Sequence, residues 1–307
     1  MIGLRRTLLI SIAIGAWVLG LPQVCRAQLP TATGRSFTLS DPAWKLFIPS
    51  NYVPRASPVA DVLVHFHGDS QIVWNNAKYA NLNAIVLTAN YGAVSSAYQT
   101  PFTSNPNLYA NILNEALAKV QQQADFPDTL QWDKVGVATF SAGYASLREI
   151  LKNPTYYNDI DGIVMADSLY ASYTSGTDLT PLDSQMVDFR KFALAAKNGT
   201  KRMIMSHSQV PTSGYCDTIA TSDDILQYLG TSATAVNTTG LGGIHFYRTA
   251  SSGNYSLYGA TGSDGAAHLL HVNYEAQWMT QLPLAHVPEP GVLGLIVFVP
   301  VIMRRRR

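Results

Sequence analysis

Four apolar runs constrain this chain more than any other feature. They are DVLVHFHG at 61–68, KVGVATF at 134–140, DGIVMAD at 161–167 and KRMIMSHS at 201–208. Each is rich in Val, Ile and Met at consecutive positions rather than at alternate ones. A strand that is apolar on both faces must be covered on both faces, which happens when helices cross over a parallel sheet. The stretches between the runs supply such helices. Residues 107–123 place Leu108, Ile112, Ala116 and Leu117 on one side. Residues 142–152 stop at Asn153-Pro154, and 183–199 end in Asn-Gly. NAIVLTAN at 83–90 and residues 243–249 read as further strands, and residues near 222–229 and 266–280 as further helices. Short strands at 36–40 and 44–49 have no helix between them and should pair antiparallel at one edge. The expected fold class is α/β: a doubly wound, mostly parallel sheet with helices on both faces.

Both ends fall outside that pattern. Residues 1–27 carry Arg5 and Arg6, an apolar run, and Cys25-Arg26-Ala27. This is the layout of a secretory signal cut after Ala27. Residues 287–307 hold Pro288-Glu289-Pro290, a short apolar stretch at 291–303 and four arginines, Arg304 to Arg307. The stretch is short for a full span of roughly 20 residues, and its arginines would stay cytoplasmic. This tail resembles the PEP-CTERM sorting signal of bacteria that make extracellular material. That resemblance implies export, a transient membrane anchor confined to the C-terminal segment, and removal of the tail by a sorting peptidase. The domain itself is expected over 28–286.

Seven of the 21 basic residues lie in these two ends, against 20 acidic residues in the whole chain. The processed body is therefore net acidic, which argues against a nucleic-acid partner. Once Cys25 is lost with the signal, Cys216 has no partner in the chain, so no disulfide framework supports the fold.

In sheets of this kind, active residues gather where strands end. After the run at 134–140 comes Ser141, in Thr139-Phe-Ser-Ala-Gly143. A nucleophile on a strand–turn–helix corner needs small neighbours two before and two after it. Gly143 satisfies one side, and Thr139 stands where glycine is usual. The helix that follows aims its N-terminus at the Ser141 hydroxyl; an ordinary N-cap serine would have the same composition. After the run at 61–68 come Gly68 and Asp69, placing a backbone N–H where it could join that of Ala142 in an oxyanion hole. His268 opens the last helix, where a general base could reach Ser141, and His271 follows one turn later. For an acid there are two candidates. Asp167 ends its strand, and Asp217 lies in the loop after the next one, where Asp223 and Asp224 read as helix caps.

Together the HG turn, the serine corner and the chain order Ser, acid, His resemble the α/β-hydrolase fold over about 36–280. The resemblance implies a Ser–His–acid triad, an acyl-enzyme and no cofactor. The residues it points to are Ser141, His268 and Asp167 (alternatively Asp217), with Ala142 and Asp69 as oxyanion donors and a small-molecule or polymer ester as substrate. Tyr98, Phe102, Tyr144, Tyr170, Tyr173 and Tyr215 fall in or beside loops that could line an apolar cleft. Two other readings stand beside this one. His65 and His67 alternate on a strand and could bind a metal with Asp69 or Asp167, though that leaves the serine corner without a use. The scaffold could also serve as a non-catalytic exported binding module.

Overall fold

A computed structural model describes residues 28–92 and 94–288. The expected signal and all but the first two residues of the expected sorting tail lie outside them. In chain order the strands are β1 (Gly34–Thr38), β2 (Trp44–Pro49), β3 (Val59–Phe66), β4 (Ala84–Ala89), β5 (Gln131–Phe140), β6 (Ile160–Ala166), β7 (Arg202–His207), β8 (Thr234–Thr239), β9 (His245–Ser252) and β10 (Tyr255–Ala260). The helices are α1 (Ser70–Tyr79), α2 (Ser95–Ser104), α3 (Leu108–Gln121), α4 (Tyr144–Leu151), α5 (Pro154–Asp159), α6 (Asp183–Lys197), α7 (Thr218–Leu229), α8 (Gly265–Asn273) and α9 (Ala276–Met279).

The strands form one sheet in the order β1-β2-β4-β3-β5-β6-β7-β10-β9-β8. From β4 to β10 neighbouring strands run parallel. β1 and β2 add antiparallel at one edge, as their short connection requires. The fold is thus the doubly wound, mostly parallel α/β sheet expected. Alternation along each central strand divides the core into two layers. In β3, Val62, Val64 and Phe66 pack with α2, α3 and α4 on one face. Leu63 packs with Val73 and Trp74 of α1 and Trp278 of α9 on the other. Full burial of such side chains contributes roughly 1.5–3 kcal/mol each, which is why near-continuous apolar runs mark the middle of the sheet.

Several elements depart from the expectations. Tyr98 and Phe102 are expected in or beside loops that could line the cleft. They lie instead on α2 and are buried in the core. Residues 266–280 do not make one helix: α8 ends at Asn273, Tyr274 leaves the helical region with ψ 32°, and the chain restarts as α9. The far edge carries β8 and β10, neither of which was expected. β8 is a polar, largely exposed edge strand, and its Thr and Asn residues give no apolar signal to read. Asp223 and Asp224 are not caps. They face Arg248 and Arg190 across ion pairs of 2.7 and 2.6 Å.

Candidate active site

Three residues with left-handed backbone stand at the carboxyl ends of adjacent parallel strands: His67 after β3 (φ 69°), Ser141 after β5 (φ 46°) and Asp167 after β6 (φ 42°). Non-glycine residues rarely hold such angles, and where they do, the surroundings enforce them. At Ser141 the chain passes from an extended strand directly into a single 3-10 turn, Ser141–Gly143, and then into α4. Gly143 makes this possible by close approach: a Cβ there would sit 2.3 Å from the Phe66 carbonyl oxygen. Thr139 occupies the other flank without crowding it. Its side chain is buried, and its hydroxyl donates to Ser168 Oγ at 3.0 Å. Ser168 Oγ donates in turn to the Ser141 carbonyl at 2.9 Å. Thr139 thus ties the corner to the turn that follows β6.

The structure brings Asp167 and His268 together. Asp167 Oδ2 accepts from His268 Nδ1 at 2.6 Å. Its other oxygen accepts from the Ser208 N–H at 2.9 Å and from the Thr218 hydroxyl at 2.7 Å. Burial alone would raise this carboxyl. The His268 hydrogen bond, the neighbouring His271 and His268 rings and the Ser208 N–H outweigh it, so the group is held well below the usual carboxylate range. An ionised Asp167 requires the proton of neutral His268 to lie on Nδ1. Nε2 is then a lone-pair acceptor. The ring lies against Phe140, with centroids 4.5 Å apart, and the side chain is 20% exposed. His268 and Ser141 line the same cleft of about 570 Å³, together with Ala142, Tyr144, Tyr170 and Tyr215.

The alternative acid sits elsewhere. Asp217 is the N-cap of α7, accepting from the Ala220 N–H at 2.8 Å. Its loop still serves the site, because the next residue, Thr218, hydrogen-bonds Asp167. Asp69 is likewise an N-cap, accepting from Gln71 and Ile72 N–H groups, and it is not among the cleft-lining residues. Nor is Tyr173.

The two histidines considered as metal ligands point to different partners. His65 Nε2 pairs with the buried Glu275 at 2.8 Å. His67 has left the strand, so the two rings no longer share a face; its Nδ1 meets the Tyr98 hydroxyl at 2.8 Å. Tyr98 donates its only proton to Asn90, which makes His67 Nδ1 the donor in that contact. Burial and the neighbouring His65 and His268 lower the His67 pKa to about 4. Among the described residues no group of three or more potential ligands converges on a metal position. His271, one turn beyond His268, faces inward instead, stacked on Trp278 and hydrogen-bonded to Ser206 at 2.8 Å.

No family model and no curated protein matches the chain. Among solved structures it is distantly similar to an uncharacterised protein from Capnocytophaga ochracea, at 10% identity and TM-score 0.45, over 81% of this chain and 64% of that one. It thus spans less than two thirds of that protein. A feruloyl esterase module from Clostridium thermocellum aligns at 12% identity and TM-score 0.42, over 81% of this chain and 89% of that one. A CE1 ferulic acid esterase from Anaeromyces mucronatus aligns at 11% identity and TM-score 0.43, over 85% and 94%.

Two roles in this arrangement could not be read from sequence. Thr218 and Ser168 are ordinary hydroxyl residues in a chain with many of them. Only the juxtaposition of β6, α7 and the serine corner gives them partners.

Proposed function

We propose that this chain is an exported serine hydrolase that cleaves carboxylic esters through an acyl-enzyme on Ser141. The observation that carries the reading is the hydrogen bond from half-buried His268 to buried Asp167, with His268 and Ser141 lining one cleft. Ser141 Oγ attacks the acyl carbon while His268 Nε2 takes its proton. Asp167 holds the ring in the tautomer this needs and stabilises the imidazolium. The Ala142 N–H, at the start of the turn, supports the oxyanion. His268 then gives its proton to the departing alkoxide. In the second half a water loses a proton to His268, attacks the acyl carbon and releases the acid, and Ser141 regains its proton. No step calls for a cofactor.

The test is labelling with a fluorophosphonate. The intact protein should be modified once, on the peptide containing Ser141, and a chelator should change nothing. Labelling should vanish in Ser141→Ala. Modification of a different serine, or none at all, would remove the nucleophile from this reading and leave the binding-module alternative.

Export and sorting belong to the same proposal, from the two terminal patterns. The described chain supports a cut no earlier than Val287. The Val287 N–H donates to the Asn81 carbonyl, and Asn81 Nδ2 donates to the Val287 carbonyl, each at 2.9 Å. The domain therefore keeps hold of its chain as far as Val287. Intact-mass measurement of protein from the native cell surface should give a species starting near Gln28 and ending between Val287 and Pro290. A mass that retains Arg304 to Arg307 would make the tail an anchor only.

A further inference from the structure

The cleft has one feature that ester hydrolysis alone does not use. Among the described residues that line it, Arg148 is the one side chain besides His268 of opposite character to a carboxylate, and none is Asp, Glu or Lys. Arg148 lies on α4, seven residues after Ser141. Both residues line the cleft. Side chains on a helix lean toward its N-terminus, and this one does: the guanidinium lies 4.7 Å from the centroid of the Tyr144 ring, one turn back toward Ser141.

This cation is nearly out of solvent, at 7% exposure. Nη2 donates to the Tyr170 carbonyl, and Nε is buried without an acceptor. Among the described residues no carboxylate forms an ion pair with it. Glu149, the next residue, is held by Lys152 at 2.6 Å and Gln99 at 2.9 Å, one on each oxygen. A buried charge without a counter-charge is costly, and such groups persist where something pairs with them. Anchoring the Tyr170 carbonyl uses one of five donors and needs no charge.

We infer that Arg148 is the anion-binding residue of the cleft, and that the substrate is an ester carrying a free carboxylate on the part of the cleft that Arg148 lines. This rests on Ser141 being the nucleophile. With no lysine or second arginine among the described cleft-lining residues, this single guanidinium balances one negative charge, which suits a carboxylate better than a phosphate dianion. The planar fork matches a carboxylate in two parallel hydrogen bonds. Tyr144, Tyr170 and Tyr215 supply apolar surface between the charge and the reacting centre.

The test compares matched esters. Mono-para-nitrophenyl adipate against its methyl-capped diester places the carboxylate on the acyl side. Para-acetoxybenzoate against its methyl ester places it on the alcohol side. The wild-type protein should prefer the carboxylate member of at least one pair by about tenfold or more in kcat/KM, the size of one hydrogen bond to a charged group. In Arg148→Gln that ratio should fall toward one, whatever happens to the absolute rates. Arg148→Lys, which keeps the charge, should retain part of it. Equal use of both members of both pairs by a protein that labels at Ser141 overturns the inference and leaves the hydrolase reading standing. So does a preference that survives Arg148→Gln. If Ser141 does not label and no ester is cleaved, calorimetric binding of adipate and para-hydroxybenzoate decides. Binding that is lost in Arg148→Gln upholds the anion site without the chemistry, and absence of binding to the wild type overturns it.

Discussion

Asp167→Asn should lower ester turnover by about 10⁴-fold while leaving the protein folded. The carboxylate accepts three hydrogen bonds, from His268, Ser208 and Thr218. An amide can keep the bonds from Ser208 and Thr218 through its oxygen, but it then turns its NH₂ toward His268 Nδ1. The ring must answer with its other tautomer, with the proton on Nε2, and it can no longer accept one from Ser141. Asp217→Asn should change turnover by no more than a few-fold, because asparagine caps a helix about as well as aspartate. Side-by-side kcat/KM measurements decide between them. Loss in Asp217→Asn alone would move the acid to the later loop, and loss in neither would leave Ser141 and His268 as a dyad.

The second large effect concerns acid. His271 is fully enclosed, and His207 lies between the Arg248 Nε donor at 2.8 Å and the Ser208 carbonyl at 2.9 Å. Burial lowers both from the ordinary 6.5 to about 4, with the Arg248 charge adding to the effect at His207. In the unfolded chain both take up protons near pH 6.5, while the folded protein refuses them until about pH 4. Between those values the unfolded state binds more protons, so stability falls as pH falls. Each ring contributes up to about 1.4 kcal/mol per pH unit. His67 adds a smaller share because it is partly exposed. Below the ordinary carboxylate range Asp167 acts in the same direction, since its folded pKa is depressed. Glu275 acts the other way: burial raises it against the pull of His65, so its share of stability is lost as pH rises instead. The imidazoles outnumber it. Denaturant midpoints should therefore drop steeply from pH 6.5 to 4.5, and His271→Asn should flatten that slope. A midpoint constant across the window would mean the rings titrate normally.

The central sheet was legible in sequence because burial on both faces leaves runs dominated by apolar residues at consecutive positions. β3, β5, β6 and β7 all fall on such runs. The helices α1 and α2 were not legible: SQIVWNNAKY and SSAYQTPFTS are polar on their outer faces and weakly patterned, and Pro101 inside α2 argues against a helix. Tertiary packing of Trp74, Tyr98 and Phe102 overrides that local preference. At the site, the serine corner could be read because strand, turn and helix are contiguous. So could Asp167, which ends a strand with no loop to span. The cap that the Asp69 side chain makes on α1 was not legible, because a short HG-Asp turn looks the same whether or not its last residue caps the next helix. The separate fates of His65 and His67 depend on a change of backbone region at residue 67, which strand alternation does not foresee.

The link from Thr139 through Ser168 to the Ser141 carbonyl bears on how this chain could change over generations. Replacing Thr139 with the more usual glycine would strip Ser168 of its donor and open a void in a sealed layer. Replacing Ser168 alone would strand the Thr139 hydroxyl where no water reaches. Each step is unfavourable in the background of the other, so the pair forms a ratchet. Removing one hydroxyl without stranding the other therefore takes changes at Thr139 on β5 and Ser168 just after β6 together.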